Sequence, residues 1–368
     1  MGKVMLLAND TSYVYNLRGE LLQQLKKDGY EITIVSEPIH HQEKLKAAGC
    51  KLIDVITGRH GTNPFADLLL LIKYLRILRK EKPDIVLTYN IKPNVYGGLA
   101  CRLLKLRYMP NITGLGTAVE NPGKMQKLTI GLYKMGVAGA ECVFFQNSEN
   151  QRFFEERRML GKKTRVHLLP GSGVNLQTHP MKEYPEEGPV RFLFAARIMK
   201  EKGIDLFLAA ARKYHSDQVH FDVCGMCDDQ EYLKILNEAQ KENIITYHGV
   251  QKDMNPHYAQ CSCFLYPSYY PEGMSNVLLE SAASGRPAIA ADRSGCREIV
   301  DDAVTGYVVP VNDENAVIEA TGKFLSLSWE QRRQMGLLAR EKVEREFDRQ
   351  LVVAAYMEEI GQTAVQGS

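Results

Sequence analysis

The chain has 368 residues, 45% of them hydrophobic and 24% charged. That is long for one core and comfortable for two domains, and it excludes a disordered chain. No apolar run approaches the roughly 20 residues of a membrane span. The net charge of +2 conceals an asymmetry. Residues 1–170 hold 26 Lys and Arg against 15 Asp and Glu, a balance of +11, and residues 171–368 hold 20 against 29, a balance of −9. A basic half suggests an anionic partner, and uneven drift of surface charge is the plainer alternative.

The start, "MGKVMLLANDTS", is too short in its apolar part for a signal peptide and reads as a buried first strand. "YEITIVS", "CKLIDVI", "PDIVLTYN" and "ECVFFQ" read as further short strands. Helical patterns at Asn16–Lys27, Pro64–Lys80 and Met125–Ala138 separate them. This is the βαβ rhythm of a parallel sheet. "FADLLLLIKYLRILRKEKPD" follows Leu68–Leu71 with Lys73, Arg76, Arg79, Lys80 and Lys82. A basic amphipathic helix can lie on an anionic bilayer, but a crossover helix packs its apolar stripe on the sheet. A core-packed helix with a basic rim toward lipid satisfies both.

"LLPGSGVNLQTHPMKEYPEEGPV" is rich in Gly and Pro, lacks a period, and reads as an interdomain connection. The rhythm restarts with "VRFLFAARI" and runs through "HFDVCG", "IITYHG", "CFLYPS", "PAIAAD" and "TGYVVPV". The expected division is an N-terminal domain over 1–170, a second over 171–345, and a C-terminal helical segment over 346–368 that packs back on the first. Ligands of doubly wound sheets sit beyond the carboxyl ends of the strands, at helix N-termini. Two such domains facing each other leave a cleft.

Eight cysteines lack framework spacing, which fits reduced thiols in a cytoplasm. Cys224 and Cys227 form a CxxC, but Cys261 and Cys263 do not complete a metal knuckle. A glycine turn at Gly225 between small residues is the simpler reading.

"YYPEGMSNVLLESAASGRP" carries the chemistry. Pro271 and Gly273 make a turn, Ser275 or Asn276 caps a helix, and Val277–Ala283 continues it. The N–H groups of Gly273, Met274, Ser275 and Asn276 are expected to point at an anion. Glu280 lies four residues after Asn276, on the same helix face, and Glu272 stands just before the helix. One carboxylate can meet a sugar ring and the other a ribose diol, with phosphates between. Either glutamate alone is more simply a solvated charge, and it is the combination with turn, helix and strands that points to a site.

The segment resembles the E-x7-E region of retaining family 4 glycosyltransferases, which have the GT-B fold: two doubly wound, Rossmann-like α/β domains facing across a cleft. "FAARIMKEKGID" is similar to that family's strand followed by Arg and Lys-Gly, and "YHGVQKDMNPHYAQCSCFLYPS" to its base-binding loop, at Gly249 and Val250. "LLPGSGVNLQ" and "DRSGCREIVDDAVTGYVVPVND" resemble the segments that open and close the second domain. "YNIKPNVYGGLACRLL", with Lys92, and "NITGLGTAVEN" are similar to the subgroup that extends bacterial surface or lipid-linked glycans. The chain departs from the family after the first strand. Where many relatives have Gly-Gly, Asn9, Asn16 and Arg18 occupy the region. The sugar-adjacent histidine of relatives has no clear counterpart, and Thr113, Gly114 and Gly116 stand at the corresponding place.

The resemblance implies that Arg197 and Lys202 neutralise a nucleotide diphosphate, Glu280 accepts from ribose hydroxyls, and Glu272 holds donor-sugar hydroxyls. Gly273, Met274, Ser275, Asn276, Gly249 and Val250 complete the donor side. The acceptor side comprises Asn9, Asn16, Arg18, Lys92, Thr113, Gly114 and Gly116. No metal and no cofactor is expected, with a UDP-sugar as co-substrate and a polyprenyl-diphosphate glycan as acceptor. The expected setting is cytoplasmic, peripheral on the inner face of an anionic membrane, and nucleic acid is not an expected partner. A GT-B nucleotide-sugar epimerase is the alternative. "GLGTAV" lacks the third glycine of a dinucleotide fingerprint, so an NAD-linked oxidoreductase is a weaker reading. A silent binding protein is disfavoured because all four of Glu272, Glu280, Arg197 and Lys202 are present.

Overall fold

The computed structural model describes residues 2–57, 63–115, 119 and 123–361; Gly116 lies outside them. The chain forms two units. The first takes the residues up to Ser172, the three residues Glu272–Met274, and the chain from Gln350 on. The second takes Gly173–Pro271 and Ser275–Arg349.

Unit 1 holds β1 (Lys3–Asp10), β2 (Glu31–Glu37), β3 (Lys51–Asp54), β4 (Ile85–Tyr89), β5 (Arg107–Ile112), β6 (Cys142–Phe145) and β7 (Arg165–Leu168). They form one parallel sheet in the order β3-β2-β1-β4-β5-β6-β7. Its helices are α1 (Thr11–Lys27), α2 (Gln42–Ala47), α3 (Pro64–Glu81), α4 (Gly98–Leu103), α5 (Lys124–Val137) and α6 (Ser148–Glu156). Every residue of β4 and β6 is buried, as expected of parallel strands covered on both faces.

Unit 2 repeats the plan with β8 (Val190–Ala195), β9 (Val219–Cys224), β10 (Thr246–Gly249), β11 (Cys263–Tyr266), β12 (Ala288–Ala291) and β13 (Gly306–Val309). Their order is β10-β9-β8-β11-β12-β13, again parallel. Its helices are α7 (Ile204–Tyr214), α8 (Gln230–Lys241), α9 (Asn255–Gln260), α10 (Asn276–Ala283), α11 (Glu314–Ser326) and α12 (Trp329–Glu346). The last helix, α13 (Arg349–Gly361), buries Val352, Val353, Tyr356 and Ile360 in the same core cluster as Val4, Leu6 and Leu87 of unit 1. The two doubly wound parallel sheets bear out the expected α/β architecture.

The strands quoted from sequence all form, but two more are present. β5 escapes a pattern reading because Pro110 lies inside it, and proline argues against a central strand. Its ladder with β6 begins only at Asn111, one residue later, while the β4 ladder runs from Arg107 to Asn111. β7 is short, with Arg165 exposed and His167 half-buried, so it lacks a continuous apolar run.

The first helix starts five residues earlier than its apolar period suggests. The Asp10 side chain accepts from Tyr13 N at 2.8 Å, so the chain turns into α1 directly from β1. At Gly225 an added Cβ would collide with the carbonyl oxygen of Ala196, and φ is +145°. This close approach explains the glycine of the CxxC, and all eight cysteines are free thiols.

Candidate functional site

The cationic part lies in unit 2, where loops leave the carboxyl ends of the adjacent strands β8 and β11. The first loop passes Arg197, makes one 3-10 turn at Lys200–Lys202, and enters α7 through Gly203 at φ +83°. A Cβ on Gly203 would stand 2.5 Å from the Pro267 carbonyl oxygen, so only glycine lets the two loops meet this closely. Tyr269 N donates to Glu201 O at 2.9 Å and ties them together.

Lys202 is thereby held 8% exposed, with its Nζ donating to the Tyr266 hydroxyl at 3.2 Å. The Nζ stands 4.7 Å from the centroid of the Tyr270 ring, and the Arg197 guanidinium lies 6.0 Å from that same ring. The Tyr270 ring thus stands close to both cations, an arrangement in which an aromatic face attracts positive charge. The structure thus brings Arg197 and Lys202 together. Tyr266 and Tyr270 are functional candidates that sequence reasoning missed, although "SYYPEG" displays the second.

α10 follows β11 in the same unit. Ser275 is its N-cap, but the Ser275 side chain makes no capping bond. Ser275 Oγ and Asn276 Oδ1 are buried without a hydrogen-bond partner among the described residues. Unpaired polar atoms at a helix N-terminus cost free energy unless a ligand meets them. One expectation needs correction: Ser275 N is not free, because it donates to Gly295 O at 2.8 Å.

One turn further, Glu280 Oε2 accepts from the Tyr258 hydroxyl at 3.0 Å. Burial pushes the Glu280 carboxyl up to about 7, against the opposing pull of this hydrogen bond and the Arg349 charge. Tyr258 is fully buried, and nothing in its local sequence marked it as the partner. Gly249 ends β10 with φ +65°, and Val250 beside it is 67% exposed.

Glu272, Gly273 and Met274 belong to unit 1. Asn147 Nδ2 donates to the carbonyls of Glu272 at 3.1 Å and Gly273 at 2.7 Å, while its Oδ1 caps α6 at Asn150 N. A Cβ on Gly273 would lie 2.5 Å from the Thr113 carbonyl oxygen, so Thr113 and Gly273 do meet. Met274 packs on Gly171. Gly114 is half-buried with φ +139°.

The remaining acceptor-side candidates divide. Asn9 N donates to Asn90 Oδ1 at 3.1 Å and joins the ends of β1 and β4, while Asn9 Oδ1 is buried and unpartnered among the described residues. Asn16 is exposed on α1. Arg18 corrects the sequence reading, being 1% exposed. It follows Val14 by four residues on the buried stripe, and its guanidinium lies 4.9 Å from the Tyr89 ring centroid, 5.4 Å from that of Tyr13 and 5.8 Å from that of Tyr356. It is a core cation rather than a group that a substrate reaches. Lys92 is likewise spent inside the fold, pairing with Asp67 at 3.0 Å, and Asp67 also accepts from Tyr96.

Comparison with known proteins bears on both units. The family model "Glycosyl transferase 4-like" matches residues 3–147, and "Glycosyl transferases group 1" matches residues 189–326. A Campylobacter jejuni protein named N,N'-diacetylbacillosaminyl-diphospho-undecaprenol alpha-1,3-N-acetylgalactosaminyltransferase is 25% identical over 322 residues, covering 83% of this chain and 84% of its own. The sucrose-phosphate synthase structure from Thermosynechococcus elongatus superposes with a TM-score of 0.78 at 20% identity, covering all of both chains. Anabaena HepE in complex with UDP-glucose superposes with a TM-score of 0.76 at 16% identity, covering 99% of each. With a glycosyltransferase model on each half and this fold from end to end, the chain belongs to the family 4 glycosyltransferases of the GT-B fold.

Proposed function

We propose that this glycosyltransferase moves a hexose or N-acetylhexosamine, with retention of configuration, from a UDP-sugar to a polyprenyl-diphosphate-linked glycan in bacterial surface-polysaccharide or glycoprotein synthesis. The observation that carries the donor reading is the buried Lys202, flanked with Arg197 across Tyr270, in the unit where Ser275 Oγ and Asn276 Oδ1 at the start of α10 have no partner among the described residues. Two cations and a helix N-terminus suit a diphosphate leaving group, whose charge grows as the glycosidic bond breaks. Glu280 suits a ribose diol, and Glu272 is assigned to hydroxyls of the donor sugar. HepE, a neighbour in fold, holds UDP-glucose. The name of the Campylobacter relative describes a diphospho-undecaprenol acceptor.

Screening UDP-sugars for thermal stabilisation and then for transfer to a polyprenyl-diphosphate glycan tests this directly. The expected result is one stabilising donor and a product whose new anomeric centre, read by NMR, matches the donor's. An inverted product would overturn retention. An epimerised donor with no acceptor consumed would establish the nucleotide-sugar epimerase instead.

A lipid-linked acceptor places the chain at a membrane surface, and among the described residues no helix is long and apolar enough to cross one. α3 buries Leu70, Tyr74 and Leu78 yet leaves Phe65 80% exposed, with Leu68 and Leu69 also exposed at the same end. Lys73, Arg76, Arg79 and Lys80 are exposed along it. Binding to anionic liposomes is therefore expected, falling as salt shortens the screening length to roughly 8 Å at physiological ionic strength. Charge reversal at Arg76 and Arg79 should weaken it, and Phe65→Ser should remove the part that survives high salt. Equal partitioning onto neutral liposomes, or no binding, would overturn the docking.

A further inference from the structure

The N-cap of α10 is held from outside the helix. After β12 the chain runs through successive turns over residues 294–299, where the sequence pattern "CREIV" suggests a helix. Within them Glu298 uses both carboxylate oxygens locally. Ser294 Oγ donates to Oε1 at 3.0 Å, and Gly295 N donates to Oε2 at 2.8 Å. Ser294 and Gly295 are buried, and Gly295 adopts φ +90°, a left-handed conformation that glycine accepts without strain. The carbonyl of Gly295 then receives Ser275 N at 2.8 Å. Ser275 does not cap α10 with its own side chain, and this backbone bond anchors the N-cap residue to the segment after β12.

We propose that Glu298 is a positioning residue for the donor site. Its carboxylate holds Ser294 and Gly295 in place, Gly295 holds the N-cap of α10, and α10 aims Asn276, Glu280 and its first N–H groups at the donor. The inference rests on the donor reading above. A charged acceptor with two donors is a strong clamp. The residue thus acts on binding through geometry rather than contact.

The test compares Glu298→Ala, Glu298→Gln and Ser294→Ala in donor KM, kcat, UDP-sugar affinity by calorimetry and unfolding midpoint. Glu298→Ala is expected to raise donor KM on the order of tenfold, with kcat changed less, because misdirection of a binding element by a fraction of an ångström weakens every contact it makes. Glu298→Gln should restore affinity to within about threefold, since its amide oxygen still accepts from Gly295 N and its amide nitrogen can donate to Ser294 Oγ. Ser294→Ala should move KM the same way by less, and it decides the matter if Glu298→Ala does not fold. Unchanged donor affinity in folded Glu298→Ala or Ser294→Ala overturns the inference, as does a loss that tracks the unfolded fraction alone. If wild-type protein binds no UDP-sugar, the donor reading itself fails. Wild-type binding with an indifferent Glu298→Ala sinks only the positioning role.

Discussion

Replacing Lys202 by alanine is expected to lower turnover about a hundredfold, while excess EDTA leaves the wild-type rate unchanged. Lys202 is buried, touches the Tyr266 hydroxyl and faces Tyr270, so its charge acts in a site of low polarity. Removing one such electrostatic contact to a developing charge costs on the order of 3 kcal/mol, which is about a hundredfold in rate. Arg197→Ala should fall in the same range. The EDTA result follows from where the carboxylates are used. Asp229 caps α8 by accepting from Glu231 N and Tyr232 N. Asp301 pairs with Lys342 Nζ at 2.5 Å, and Asp302 accepts from Val308 N at 2.9 Å. These three aspartates serve the fold, so on the proposed donor reading the diphosphate falls to Arg197, Lys202 and the start of α10. Rates with and without EDTA, and for each variant at saturating donor, check this. Activity abolished by EDTA and restored by manganese or magnesium would overturn the metal-independent mechanism.

Donor affinity is expected to weaken with a slope approaching about tenfold per pH unit below 7, or roughly fiftyfold between pH 7 and 5, with the dependence lost in Glu280→Gln. Burial holds the Glu280 carboxyl near 7, so the free protein carries it increasingly protonated as pH falls below that value. A ribose diol donates best to the ionised form, so binding draws the proton off, and each unit of acidity must be opposed by a tenfold factor. Calorimetry with a UDP-sugar in buffers of different ionisation enthalpy should show close to one proton released per donor near pH 6. UDP itself would confuse the measurement, because its terminal phosphate titrates near 6. For the empty protein the sign is opposite. The folded-state value is raised, so the stability Glu280 contributes is fully present below its unfolded value, in the usual glutamate range, and is lost as pH rises through about 7. A flat affinity profile in wild-type protein would show that Glu280 does not meet the donor. Glu272→Gln should behave differently, losing turnover more than affinity, because a residue near the reacting sugar acts in the transition state.

Periodicity and turn chemistry determined much of this protein. Buried strands such as "PDIVLTYN" and "CFLYPS" announce themselves because both faces of a parallel strand are covered, and the Gly-Pro turns between them are equally local signals. The turn at Pro271 and Gly273 and the start of α10 were legible for the same reason, whereas Arg197 and Lys202 were picked out only by the family resemblance, and the structure places both near Tyr270. What sequence could not decide was which long-range partner each polar side chain meets. Asn9, Asn16, Arg18 and Lys92 read alike as acceptor-side groups. Helix phase then buried Arg18 under three tyrosines, one of them on the last helix of the chain, and Asp67 neutralised Lys92. Tyr258, which meets Glu280, and Glu298, which reaches the α10 N-cap Ser275 through Gly295, lie 22 and 23 residues from the groups they serve. The continuous motif from Tyr269 to Pro287 is itself divided: Glu272–Met274 belongs to one unit and Ser275 to the other, with Asn147 gripping the first part. Local sequence sets what each short segment prefers, whereas the environment that buries, pairs or exposes a charge is assembled only when distant segments meet.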